Sequence, residues 1–263
     1  MGPTFTGLDI GSRSIEMVVL REDCILREER LPTTFDPKRQ IRKLLQGLHT
    51  DRLIATGYGR GLVQDMGLPF EVTSLTEIKA HALAAAHLFP GARTVLDIGG
   101  QDTKAIRLRA EGRVLRFEMN DRCAAGTGKF LEYTAAIFQI PVEDFGTYAL
   151  RGDEPPLINS MCTVFAETEA TSLMAQGVSP ENIALGLHLA IVRRTVSMLR
   201  RTGLEKPLVF AGGVAHNPCI RFLICKELQL KENHDLCIAA SPEMAGALGA
   251  ALWGAEEFRK LAA

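Results

Sequence analysis

Apolar residues along this chain follow two periods. Short runs rich in Val, Ile and Leu, bounded by turn residues, predict strands over Phe5–Asp9, Ile15–Leu20, Cys24–Leu31, Arg52–Thr56, Thr94–Asp97, Thr103–Leu108, Val114–Met119 and Leu208–Ala211. Three-to-four spacing predicts helices over Pro37–His49, Thr76–Leu88, Lys129–Phe138, Val164–Gln176, Ser179–Thr202, Asn217–Leu228 and Pro242–Lys260. Asp23 fits a hairpin turn between the second and third strands. In each half, hairpin strands precede alternating helices and strands, the order of an α/β sheet layered with helices.

The pattern repeats. Gly7-Leu8-Asp9-Ile10-Gly11-Ser12-Arg13-Ser14 leads into one strand, and Val95-Leu96-Asp97-Ile98-Gly99-Gly100-Gln101-Asp102 leads into another. Asp9 and Asp97 are 88 residues apart, far longer than a solenoid period, so two copies of one lobe are expected. Phe89-Pro90-Gly91 marks the boundary, giving a first lobe over 1–90 and a second over 91–241. The last helix, within 242–263, is expected to cross back and complete the shorter first lobe.

Composition narrows the class. The 263 residues are 46% hydrophobic and 23% charged, enough to bury a full core. A net charge of -1 offers no basic field for nucleic acid. No apolar run reaches the roughly 18 residues that span a membrane; Ile183–Leu199 comes nearest and is broken by His188, Arg193 and Arg194. Met1 to Leu8 lacks the basic and apolar parts of a secretion signal, so a cytoplasmic protein is expected.

The repeated turns carry candidate chemistry. A turn after a buried strand presents backbone N–H groups, and glycine lets that backbone approach a phosphate closely. Two such turns would grip a triphosphate. Mg²⁺ takes oxygen ligands and keeps several waters, so Asp9 and Asp97 at the strand ends suit a hydrated metal. A third glycine turn, Phe210-Ala211-Gly212-Gly213-Val214, suits a flat base or ribose. Gly126-Thr127-Gly128-Lys129 looks like part of a Walker motif, but the required glycine falls at Cys123 and Phe130 follows the lysine. Gly57-Tyr58-Gly59-Arg60-Gly61 is not a GxGxxG, and no helix is expected to open on it.

These residues resemble the actin, heat-shock chaperone and sugar-kinase superfamily. The resemblance implies two ribonuclease-H-like lobes of the actin-like ATPase fold, with a nucleotide cleft between them. It makes Asp9, Gly11, Ser12, Arg13 and Ser14 the first phosphate turn. Asp97, Gly99, Gly100, Gln101, Asp102 and Thr103 form the second, and Gly212, Gly213, Val214 and Asn217 the adenosine segment. Glu77, at the start of a crossing helix, would face the metal and the attacking water; a carboxylate steadying a helix start is the structural alternative. Glu77 and Gln101 are the candidates for coupling binding to hydrolysis.

Six cysteines form no CxxC pair. Cys123, in Asn120-Asp121-Arg122-Cys123-Ala124-Ala125-Gly126, and Cys162, in Asn159-Ser160-Met161-Cys162-Thr163, each precede a helix. A helix N-terminus favours thiolate, and an anionic cluster accepts its N–H groups. A four-iron cluster wants four thiolates, which a two-fold dimer of this chain would supply; two buried structural cysteines are the alternative.

Those segments, with Phe130-Leu131-Glu132, Phe165-Ala166-Glu167 and Thr56-Gly57-Tyr58-Gly59-Arg60, resemble the activator ATPases of 2-hydroxyacyl-CoA dehydratases. The group includes the ATPase subunits of benzoyl-CoA reductase and the reductases of double-cubane cluster proteins. The resemblance implies a homodimer holding one 4Fe-4S cluster through Cys123 and Cys162 of both chains. It implies ATP and Mg²⁺ as further cofactors, an iron–sulfur acceptor enzyme as partner, and ferredoxin or flavodoxin as electron donor. Cys24, Cys219, Cys225 and Cys237 match no ligand position and read as core or surface thiols. A small-molecule kinase of the same fold and a non-catalytic nucleotide-dependent regulator are the rival readings; neither uses the paired cysteines.

Overall fold

The computed structural model describes residues 2–22, 24–109, 112–120, 126–159 and 162–262. Asp23, Ser160, Met161 and the segment from Asp121 to Ala125, which includes Cys123, lie outside the described residues.

The chain divides into two compact units, one of residues 1–92, 108–115 and 243–263, the other of 93–107 and 116–242. In the first unit, β1 (Thr4–Ile10), β2 (Ser14–Arg21), β3 (Cys24–Pro32), β4 (Arg52–Thr56) and β5 (Glu71–Ser74) form a sheet of order β3-β2-β1-β4-β5. β1 to β3 are an antiparallel meander, whereas β1, β4 and β5 run parallel. Leu8, Ile10, Ile15, Met17 and Val19 bury one face against Ile41 and Leu44 of α1 (Pro37–Leu44). Against β1, β2 and β4 packs α8 (Ala245–Ala262), which also lies along α2 (Glu77–Leu88). The approach is close: a Cβ on Gly7 would fall 1.8 Å from the Ala247 carbonyl oxygen, and one on Gly249 would fall 1.8 Å from that of Ala80. Ala and Gly at these positions let helix backbone rest on strand and helix backbone.

The second unit repeats the design with β6 (Thr94–Ile98), β7 (Thr103–Leu108), β8 (Val114–Asn120), β9 (Leu208–Ala211) and β10 (Leu236–Cys237), in the order β10-β9-β6-β7-β8. Counted from its first strand, the order matches the first sheet. Its helices are α3 (Gly128–Ile137), α4 (Val142–Ala149), α5 (Thr163–Ala175), α6 (Pro180–Thr202) and α7 (Pro218–Leu228). Phe130, Phe145, Ile191 and Phe210 anchor one core under the sheet.

Sequence patterning misses β5, β10 and α4. It also runs α1 on to His49, where the helix ends at Leu44 and Gly47 turns left-handed at φ +69°.

Candidate functional site

In the first unit, β1 enters its turn through Asp9, which lies opposite Glu16 on β2. The Gly11 N–H donates to Ser14 O at 3.0 Å, and a Cβ on Gly11 would come within 2.9 Å of that oxygen. Thr33 closes the turn from the end of β3: its hydroxyl donates to Gly11 O at 2.7 Å and its N–H to Arg13 O at 2.9 Å. Ser12 is half-buried in the turn and Arg13 is exposed. The Asp9 carboxylate lies between two glycines. A Cβ on Gly57 would meet Oδ1 at 2.4 Å, and one on Gly246 would meet Oδ2 at 1.9 Å. Only bare backbone from β4's end and from the start of α8 can approach the carboxylate so closely.

Glu16 is buried beside this turn, and burial pushes its carboxyl up to about 7, against the pull of the Ser14 hydrogen bond and of Arg30. Glu77 opens α2, which follows β5 at the same sheet edge on which the parallel strands β1 and β4 end.

The second unit builds the same turn. The Gly99 N–H donates to Asp102 O at 3.0 Å, and Asp97 lies opposite Lys104 as Asp9 lies opposite Glu16. Charge differs. The Lys104 ammonium reaches Asp97 Oδ2 at 3.0 Å and Asp102 Oδ1 at 2.8 Å, all but sealed from water at 3% side-chain exposure. Gly100 is half-buried and Gln101 exposed at the tip. Thr103 is buried, and its hydroxyl donates to Gly126 O at 3.2 Å, so it serves the chain itself.

After β9, Gly212 turns left-handed at φ +83°, where a Cβ would sit 2.5 Å from Asp97 Oδ1. Gly213 is exposed, with no neighbour within 4 Å of where its Cβ would be, and Val214 is buried. The Asn217 side chain is committed inside the protein. Oδ1 caps α7 by accepting from Ile220 N at 3.0 Å, and Nδ2 meets His188 Nε2 at 3.1 Å.

Sequence reasoning missed this histidine. The His188 ring is fully buried, 2.8 Å from Ala184 O through Nδ1 and tilted against Phe145 at 4.8 Å between ring centres. With Nδ1–H donating, Nε2 is left to accept from Asn217, and burial holds the ring neutral by lowering its pKa to about 4. The only cue in the sequence was a histidine on an apolar helix.

A second correction concerns Gly57. A 3-10 helix, Arg60–Met66, does open on the Gly57–Gly61 segment. Gly57 stands after β4 as Gly212 stands after β9, also left-handed at φ +87°. It is the counterpart of the Gly212 turn.

Cys162 is exposed at the N-cap of α5, with its carbonyl accepting from Ala166 N at 2.8 Å. The Tyr133 hydroxyl of α3 donates to Glu167 of α5, tying the two helices together. Burial pushes Cys219 up to about 12 and also raises Cys225 and Cys237, which keeps these three as thiols. Among the described residues, no three His, Cys, Asp or Glu side chains gather as a metal group, and no helix is long and apolar enough to cross a membrane.

Two sheets of one topology, each with a glycine turn after its first strand, define an actin-like ATPase. The chain belongs to the BadF/BadG/BcrA/BcrD ATPase family, whose sequence profile matches residues 6–254. It is 38% identical to the activator of lactoyl-CoA dehydratase from Anaerotignum propionicum, over 97% of this chain and 98% of that one. The structure of (R)-2-hydroxyglutaryl-CoA dehydratase component A from Acidaminococcus fermentans superposes with a TM-score of 0.86 at 32% identity, covering 96% of this chain and 97% of that one. The activator of the 2-hydroxyisocaproyl-CoA dehydratase from Clostridium difficile, solved with bound ADPNP, also gives 0.86, at 34% identity over 98% and 97%.

Proposed function

We propose that this ATPase is a reductase, an activator that couples ATP hydrolysis to single-electron transfer into a partner iron–sulfur enzyme. The partner is of the 2-hydroxyacyl-CoA dehydratase or double-cubane kind. The two units act as the two lobes of the ATPase, the first completed by α8 and the second carrying the cysteines. The turns Gly11 to Ser14 and Gly99 to Gln101 receive the phosphates through N–H groups other than those of Gly11 and Gly99, which close the hairpins. The Gly212-Gly213 turn receives the adenosine, with Asn217 holding that turn in shape through α7 and His188. Asp9 and Asp97 bind hydrated Mg²⁺. The Asp97 carboxylate also holds the Lys104 ammonium. Glu77 and Gln101 orient the attacking water.

The observation that carries the electron-transfer part is Cys162, an exposed thiol at a helix start, while Cys219, Cys225 and Cys237 are held protonated. Cys162 and, outside the described residues, Cys123 would hold a 4Fe-4S cluster shared by two copies of the chain. When bound, that group supplies a low-potential electron. Ferredoxin or flavodoxin would be the electron donor, in the cytoplasm of an anaerobic cell. The N-terminus of α5 would offer N–H groups to an anionic group held by Cys162, and the Tyr133–Glu167 bond links α3 to α5. Anaerobically purified protein should be a dimer with about two irons per chain. Cys162→Ser and Cys123→Ser should lose the iron, and Cys24→Ser should keep it. Full iron in Cys162→Ser would overturn this reading.

A further inference from the structure

The second phosphate turn is not held by its own hairpin alone. The Gly128 N–H, first in α3, donates to Gly99 O at 2.9 Å, and the Lys129 N–H donates to Gly100 O at 2.8 Å. Thr103 adds a third tie, from its hydroxyl to Gly126 O at 3.2 Å. Glycine at 128 eases the approach: a Cβ there would crowd Gly99 O at 3.2 Å and Gly100 Cα at 3.4 Å. The Lys129 ammonium plays no part in these bonds and reaches Glu132 Oε2 at 3.2 Å instead.

Peptide planarity gives these bonds a consequence. In a trans peptide the C=O and N–H point in opposite directions. The carbonyls of Gly99 and Gly100 face α3, so the N–H groups of the same two peptides, on Gly100 and Gln101, face away from it. Pinning the carbonyls aims the amides. A phosphate that accepts from those amides polarises both peptides and strengthens the bonds their carbonyls make behind.

We propose that the Gly128 and Lys129 amides are the positioning element of the phosphate turn, and that through them α3 senses whether phosphate is bound. The sequence between β8 and α3 carries Cys123, and α3 is tied to α5 behind Cys162. Phosphate occupancy therefore reaches α3 and, through Tyr133 and Glu167, the helix capped by Cys162. The inference rests on the nucleotide reading above.

Amide hydrogen exchange of the intact protein, with and without a saturating non-hydrolysable ATP analogue and Mg²⁺, tests it. A net hydrogen-bond gain of about 1 kcal/mol predicts that Gly128 and Lys129 exchange about five-fold more slowly with the analogue bound. Gly128→Ala should weaken analogue binding by a similar factor, because its Cβ wedges the turn from α3. Lys129→Ala removes the ammonium and keeps the main-chain bond, so it separates the two. Tight binding with unchanged exchange at both amides would overturn the inference alone. So would lost binding in Lys129→Ala with unaltered binding in Gly128→Ala, which would make the ammonium the phosphate ligand. If the analogue does not bind the parent at all, the proposed function falls and this inference with it.

Discussion

The β1–β2 and β6–β7 hairpins share a turn, a register and a glycine behind the first strand, yet differ in charge at one position. Asp9 faces Glu16, and Asp97 faces Lys104. Both partners are seven residues past their aspartate and both are buried. The first copy therefore concentrates carboxyl groups, and one of them is kept protonated near neutral pH by burial. The second sets one internal ammonium between its two aspartates. A duplicated backbone has been given two electrostatic tasks. A carboxyl opposite Asp9 suits an added cation, whereas the second copy already holds an ammonium at that position and offers an anionic phosphate its backbone amides.

The largest test of that contrast is Lys104→Met. It strands the Asp97 and Asp102 carboxylates, the first of them 4% exposed, without their cation. Removing one partner of a buried pair should cost about 3–5 kcal/mol, read from urea unfolding. A loss under about 1 kcal/mol would mean that water already solvates the pair.

Glu16 gives the next effect, and its sign is opposite. Its folded pKa is about 7 against 4.5 for the free group, so between these values the folded state holds a proton that the unfolded state has released. Stability of metal-free protein should thus be higher below pH 4.5 as far as this group goes, and should fall as pH rises to 7 and beyond. Glu16→Gln should remove that slope and be more stable at pH 8 by roughly 3 kcal/mol. Parallel pH profiles for parent and variant would refute the assignment.

The glycines give the smallest effects on stability. Gly57→Ala forces a Cβ into a left-handed position 2.4 Å from Asp9 Oδ1 and should cost about 1–3 kcal/mol. Gly213→Val, with open space at its Cβ, should change stability by no more than about 0.5 kcal/mol. It should nonetheless weaken Mg-ATP binding in calorimetry if that face receives the nucleotide. Parent-like binding would remove the adenosine assignment.

Much of the fold was legible because the duplication is written locally. Asp-Ile-Gly and its flanking apolar runs recur at 88 residues, and each run is long enough to signal a strand. What escaped depends on distant partners. β10 has two residues and β5 has four, too few for a period to emerge. α4 carries Gly146 in its middle, which reads as a breaker. A Cβ there would lie 2.4 Å from Asn217 Oδ1, a neighbour 71 residues away in sequence. Gly57 was passed over because its role comes from matching Gly212 in the other sheet, a relation of topology with no shared motif. The Asp97–Lys104 pair was hidden because alternation identifies a strand but leaves cross-strand partners unnamed until the register is known.

Nucleotide control of electron transfer is the central claim, and spectroscopy of the reduced protein tests it most directly. Electron paramagnetic resonance spectra should differ between Mg-ATP and Mg-ADP, because the nucleotide must favour one arrangement of the helices around the thiols over another. Reduction of a partner iron–sulfur enzyme should require hydrolysis and stop with a non-hydrolysable analogue. Identical spectra with ATP, ADP and no nucleotide, together with equal partner reduction in all three, would contradict the account.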